Sequence, residues 1–121
     1  IIADCGFTSP DAIWRYVVSN NLHLGFWLKS LIANSLCKRK LGVGSSACKT
    51  TDSLKRAKVP VLFIHGSDDK FVPVSMTYEN YKACRSEKRL LIVPGAGHGM
   101  SCYVEPEAYE KAVKGFFEEF D

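Results

Sequence analysis

Two short stretches of this 121-residue chain hold the residues whose types and spacing could do chemistry. In the first, the apolar run Val61-Leu62-Phe63-Ile64 gives way abruptly to His65-Gly66-Ser67-Asp68-Asp69. In the second, Leu90-Leu91-Ile92-Val93 gives way to Pro94-Gly95-Ala96-Gly97-His98-Gly99. One apolar run ends in an acid, the other in a histidine. A carboxylate that accepts a hydrogen bond from one imidazole nitrogen fixes the ring's tautomer and stabilises the imidazolium. The other nitrogen is then free to take a proton from a nucleophile. Asp69 and His98 are the pair expected to do this, and the glycines around His98 suit a tight loop that must aim one side chain.

The elements around the pair explain how distant residues could meet. Each apolar run is too short for a helix, is rich in strand formers and is apolar on both faces, as in a strand buried inside a parallel sheet. Ile1 to Gly6 reads as a further strand. Thr8 or Ser9 then caps a helix that has Pro10 at its first position and Asp11 in its first turn. That helix is expected to run to about Ser19 and to break at Asn20-Asn21. A second helix is expected from Leu24 to Leu41, with Phe26, Leu28, Leu31, Ile32, Ser35 and Leu36 as its apolar stripe and Gly42 closing it. Trp14, Tyr16, Phe26 and Trp27 are read as filling a helix-pair core in preference to walling a pocket. Thr51-Asp52 is expected to cap a short helix to about Ala57. A helix from Val74 to about Arg85 should bury Val74, Tyr78, Tyr81 and Cys84. The last helix, from Glu105 or Pro106 to about Phe120, should bury Tyr109, Ala112, Val113, Phe116 and Phe120. Strands alternating with helices imply parallel strands and right-handed crossovers. Residues just past the strands then share one sheet edge, where open α/β sheets place their ligands.

Composition narrows the function further. Hydrophobic content of 46% and charged content of 24% fit a globular domain. A net charge of +3 is too weak to imply nucleic acid. No apolar run approaches the roughly 18 residues of a membrane span. Gly95-Ala96-Gly97-His98-Gly99-Met100 is not G-x-G-x-x-G and no Walker lysine is present, so no nucleotide cofactor is expected. The five cysteines form no C-x-x-C pair, so neither a metal site nor a redox motif is expected, and a reducing, cytoplasmic setting follows. Cys5 lies at a strand end on the right edge. Without a strained elbow or an electropositive neighbour, it is read as inert. Cys102 is expected to pack beneath the histidine loop, and His23 to be exposed.

His65-Gly66-Ser67-Asp68-Asp69-Lys70-Phe71-Val72-Pro73 resembles the acid turn of the α/β-hydrolase superfamily, and Gly95-Ala96-Gly97-His98-Gly99 its histidine loop. Asp4-Cys5-Gly6-Phe7-Thr8-Ser9-Pro10 is similar to the sixth strand and its exit toward the helical cap in bacterial esterase- and peptidase-like members. The resemblance implies a three-layer α/β fold and a Ser-His-Asp triad in which Asp69 and His98 are catalytic. Asp68 is left to solvent or to the turn, and His65 takes a structural place. It implies no cofactor and no metal. The family's G-x-S-x-G nucleophile elbow precedes acid and histidine, and no such elbow occurs here. Gly99-Met100-Ser101-Cys102-Tyr103 follows the histidine and lacks the second glycine.

The chain is therefore expected to be the C-terminal part of such a hydrolase, strands six to eight with a cap. Residues 1–6 would be a strand, 7–58 the cap, and 59–121 the strand-helix-strand-helix unit carrying acid and base. The whole protein is expected to cleave an ester, thioester or peptide, and these 121 residues alone to be inactive. A non-catalytic binding or scaffolding module of the same shape is the rival reading. A flavodoxin-like domain is a weaker one, since Asp4-Cys5-Gly6-Phe7-Thr8-Ser9 makes a poor phosphate loop. Expected partners are a small-molecule or peptide substrate, with no nucleic acid and no membrane contact from this segment. An N-terminal anchor elsewhere in the protein is left open. An unpaired sheet edge is expected to drive self-association.

Overall fold

The computed structural model describes residues 1–21, 26–44 and 47–120, with side chains over 1–19, 31–44 and 47–120. The six residues of Val61–Gly66 are all buried, and everything else is arranged about them. This strand, β2, lies between β1 (Ile2–Asp4) and β3 (Lys88–Val93). Both neighbours run parallel to it, with Asp4 opposite Ile64 and Val93 opposite Gly66. All three strands therefore finish at one edge, as the alternation of elements predicts.

Alternate β2 side chains bury on opposite faces, the consequence of the two-residue strand period. Val61 and Phe63 meet Cys84, Tyr81 and Leu54 on one face. Leu62 and Ile64 meet Phe116, Tyr109, Ala112, Val113 and Phe120 on the other. Each fully buried side chain of this kind contributes on the order of 1.5–3 kcal/mol by leaving water. The first face is covered by α3 (Thr50–Leu54) and α4 (Val74–Ala83), the second by α6 (Pro106–Phe120), so the sheet is the middle of three layers. The five α6 positions read from the sequence as its apolar face are the ones that pack. A four-residue helix, α5 (Ser101–Val104), precedes α6 and was not anticipated.

α1 (Pro10–Asn21) and α2 (Phe26–Leu41) connect β1 to α3. Ser9 is the α1 cap, its Oγ accepting from the Ala12 N–H at 3.0 Å. Asn20 and Asn21 continue the helix instead of breaking it. Residues 22–25, which include His23 and the expected start of α2 at Leu24, lie outside the described residues. α2 ends as expected at Gly42, whose φ of 73° belongs to the left-handed region that glycine occupies without strain.

The structure corrects four local expectations. β1 stops at Asp4 because Cys5 turns the backbone with φ 53°. α2 packs mainly on α1, and of its expected stripe Leu31, Ile32 and Leu36 are 58%, 53% and 52% exposed, while the side chains of Phe26 and Leu28 lie outside those described. α3 starts at Thr50 with Lys49 as cap residue and has no side-chain cap, so Thr51-Asp52 does not perform that role. α4 buries Met76, Thr77, Asn80 and Cys84, whereas Tyr78 is exposed. Polar Thr77 and Asn80 disguise this face in the sequence, because their burial is stabilised by hydrogen bonds and not by apolarity. Among the described residues no helix is long and apolar enough to cross a membrane.

Candidate active site

β2 and β3 end side by side, and the two loops that leave them are tied together. Ser67 N–H donates to the Val93 carbonyl at 2.9 Å, and Asp68 N–H to that of Ala96 at 3.0 Å. Gly95 N–H donates to Ser67 Oγ at 2.8 Å. Between the loops lies Gly66, where an added Cβ would sit 2.1 Å from the Ala96 carbonyl oxygen. Only a residue without a side chain lets the two loops approach this closely.

The approach brings Asp69 and His98 together. His98 Nδ1 stands 2.8 Å from Asp69 Oδ2. The carboxylate is wholly buried, whereas the imidazole is 44% exposed. Asp69 Oδ1 accepts the backbone N–H groups of Phe71 at 2.8 Å and Val72 at 2.9 Å, locking the turn around the acid. Burial pushes the carboxyl upward. The hydrogen bond from His98 and the Val72 and Phe71 N–H groups outweigh it and hold Asp69 below its ordinary value. The acid therefore stays charged beside the ring. Asp68, one residue earlier, is exposed and accepts from the Ser67 hydroxyl at 2.6 Å.

His65 was read as structural only, and the structure adds a direct link to the acid. It is fully buried, with Nε2 donating to the Val72 carbonyl at 2.9 Å and lying 3.1 Å from Asp69 Oδ2. Its Nδ1 shares a 2.6 Å hydrogen bond with the Thr77 hydroxyl. His65 thus braces the back of the acid turn against α4. The signal in the sequence is a histidine on the same strand face as buried Val61 and Phe63, four residues before Asp69. Asn80 was missed altogether: its Nδ2 donates to the carbonyls of Gly6 at 3.3 Å and Phe7 at 3.2 Å, holding the exit from β1.

Cys5 joins the site, contrary to the expectation of an unstrained strand end. Its Sγ accepts from Gly99 N–H at 3.3 Å and donates to Asp4 Oδ1 at 3.2 Å. Burial first, then the neighbouring Asp4, push the thiol up to about 11. A thiol that keeps its proton at neutral pH is a poor nucleophile and a poor metal ligand. One ligand atom from each of Cys5, Asp69 and His98 lies within 4.8 Å of the others, so the trio has the composition of a cation site. Its acid and imidazole are nonetheless already closed on each other. Cys102 is exposed and not beneath the loop. Ser101 is the residue sealed there, with its Oγ unpartnered among the described residues.

Above the pair, between α1, α2 and the strand ends, is a cavity of about 820 Å³ whose wall includes His98. Trp14, expected in a helix-pair core, lines it. Phe71 leans on the His98 ring with centroids 5.0 Å apart. The arrangement is a carboxylate-oriented imidazole, part exposed, on the wall of an apolar pocket. Chemically, an imidazole held in this way can accept a proton through its other ring nitrogen.

Comparison with known proteins bears on the family and the fold. Residues 33–107 match the family model described as "Serine aminopeptidase, S33". The uncharacterized protein YqkD of Bacillus subtilis is 32% identical over 117 residues, 97% of this chain. The bifunctional esterase/perhydrolase DCH of Acinetobacter calcoaceticus is 30% identical over 111 residues, 92% of this chain. The chain spans 38% of the length of each of these two relatives. An esterase of Pyrococcus furiosus superposes on 98% of the chain, which covers 44% of that structure, with a TM-score of 0.64 at 21% identity. That last likeness is one of fold.

Proposed function

The chain belongs to the serine aminopeptidase family of α/β hydrolases, and from that membership we propose that Asp69 and His98 are the acid and base of a Ser-His-Asp triad. The observation that carries this reading is the 2.8 Å bond from a part-exposed imidazole to a buried carboxylate. The reaction proposed is acyl transfer from an ester, thioester or peptide to a serine, then to water.

In that reaction His98 Nε2 removes the proton from the serine hydroxyl as its oxygen bonds to the substrate carbonyl carbon. The imidazolium so formed is stabilised by Asp69, which also keeps the ring in the tautomer with Nδ1 protonated. The same proton passes from Nε2 to the leaving alcohol, thiol or amine as the carbonyl–heteroatom bond breaks. A water molecule then repeats the sequence, regenerating the serine. The nucleophile elbow is supplied from outside these 121 residues, which contain no G-x-S-x-G. Five free thiols suit a reducing, cytoplasmic setting for this work.

The test is hydrolysis of a chromogenic ester by the whole protein. Asp69→Asn should lower kcat by about 10³–10⁴, because the amide favours the wrong tautomer of His98. His98→Asn should abolish turnover while leaving folding intact. Activity within a few-fold of the parent in either variant sinks the triad and favours a non-catalytic module. The 121-residue chain alone should be inert, and residual hydrolysis lost in Cys5→Ala would overturn that part.

A further inference from the structure

Asp69 holds the His98 ring through Nδ1, but a ring bonded at one atom still moves with the loop that carries it. Ahead of His98 that loop is pinned to the turn after β2, by Asp68 N–H donating to the Ala96 carbonyl at 3.0 Å and Gly95 N–H to Ser67 Oγ at 2.8 Å. Just past His98, the tie to the sheet among the described residues is Gly99 N–H donating to Cys5 Sγ at 3.3 Å. Cys5 is itself anchored, its N–H donating to the Ile64 carbonyl of β2 at 3.0 Å. The one thiol proton goes to Asp4 Oδ1 at 3.2 Å, which leaves the sulfur lone pairs for the Gly99 amide. The sulfur also lies within 4.8 Å of a ring nitrogen of His98 and of a carboxylate oxygen of Asp69. This placement has a conformational cost. With φ 53°, Cys5 is the one non-glycine residue in the left-handed region among the described residues. A glycine would occupy that region without strain, and Gly6, next in the chain, is not among the glycines that do so. A residue kept in such a conformation beside a candidate site points to a task for its side chain.

We propose that Cys5 is a positioning residue for the relay, its sulfur accepting the Gly99 amide and so fixing the peptide that follows His98. The proposal rests on the reading of His98 as the base. Asp69 sets the tautomer and direction of the ring, and Cys5 sets the backbone from which the ring projects. The thiol exchanges no proton with the substrate and forms no bond to it. It acts through the loop alone. A hydroxyl can make the same two hydrogen bonds, with the loop drawn in slightly because a C–O bond is shorter than a C–S bond. A methyl group or a hydrogen can make neither.

Three substitutions in the whole protein separate aim from stability. Cys5→Ala removes the acceptor and keeps the strained backbone, Cys5→Gly removes the acceptor and the strain, and Cys5→Ser keeps the acceptor. With a chromogenic ester, kcat should fall about 10–100-fold in Cys5→Ala and Cys5→Gly while KM stays within about threefold, because a misaimed base slows chemistry and leaves binding intact. Cys5→Ser should recover kcat to within about threefold of the parent. Urea midpoints should place Cys5→Gly above Cys5→Ala, since glycine takes the left-handed backbone without strain. Equal slowness in a more stable and a less stable variant is what a positioning role requires. Parent-like kcat in Cys5→Ala, recovery of kcat in Cys5→Gly together with its stability, or a Cys5→Ser variant as slow as Cys5→Ala each overturns the proposal. His98→Asn distinguishes that failure from failure of the relay. An inactive His98→Asn beside a parent-like Cys5→Ala leaves the relay standing and removes only the role of the thiol, whereas an active His98→Asn removes the relay itself.

Discussion

Asp69 serves the Phe71 and Val72 amides through one oxygen and His98 through the other, with His65 behind it. Because folding lowers its proton affinity, its contribution to stability is complete above the ordinary value of 3.8. That contribution is lost as pH falls through this value toward the lower folded one. Denaturant midpoints measured across this acid range should therefore drop more steeply for the parent than for Asp69→Asn. At neutral pH the same substitution should cost about 1–3 kcal/mol, since the amide keeps the backbone bonds but loses the charge-assisted one. His65→Phe tests the brace. It strands the Val72 carbonyl and leaves the Thr77 hydroxyl only its 3.5 Å donation to the Gly6 carbonyl, and urea unfolding should report a loss of about 1–3 kcal/mol for the buried group left unpaired. A midpoint unchanged in His65→Phe would mean that the acid turn stands without it.

Elements place these residues by meeting at their ends, and the closest meeting is at Gly66. In Gly66→Ala the new methyl would be 2.1 Å from the Ala96 carbonyl oxygen, which is backbone and cannot swing aside. The expected outcome is a loss of about 3 kcal/mol or more, together with a displaced His98 loop. Parent-like stability by urea unfolding would contradict the close approach. Ser9→Ala provides a milder comparison, because it removes a single α1 cap bond and should cost about 1 kcal/mol. At this scale the sequence was legible wherever burial followed apolarity. β2 was read correctly as buried on both faces because its run is apolar throughout. α6 was read with the right face because a 3.6-residue pattern reports packing directly. β3, expected to be buried likewise, buries only Val93. α4 and α2 were misread for opposite reasons. α4 buries polar Thr77 and Asn80, which bond to His65 and to the exit from β1, and α2 leaves apolar Leu31, Ile32 and Leu36 uncovered.

For the molecule as a whole, the three-stranded sheet has β1 and β3 as its edges among the described residues. β1 is short, and Ile1 beside it is 65% exposed. We propose that this edge pairs with a second copy, because unpaired strand groups next to apolar surface favour such contact. Light scattering of the 121-residue chain should give a mass above that of the monomer, rising with concentration. A monomer across that range would remove the proposal. Arg89, on the opposite edge strand, pairs with Glu119 and stacks its guanidinium over Phe120, and such charge discourages pairing on that side.

By itself the sequence determined the parallel α/β architecture and the two loops in which chemistry could lie. Short apolar runs ending in acid and histidine admit few folds, and the order of elements brings their ends to one edge. It could not determine how the acid is held or what stands around it. His65 behind Asp69, the strained backbone of Cys5 and its bond to Gly99, and the Asn80 clamp on the exit from β1 all join residues far apart in the chain. Such contacts depend on the register between strands and on which face a helix turns inward. The apolar pocket over His98 is likewise a property of how α1 and α2 lean over the sheet, and no local pattern encodes that angle.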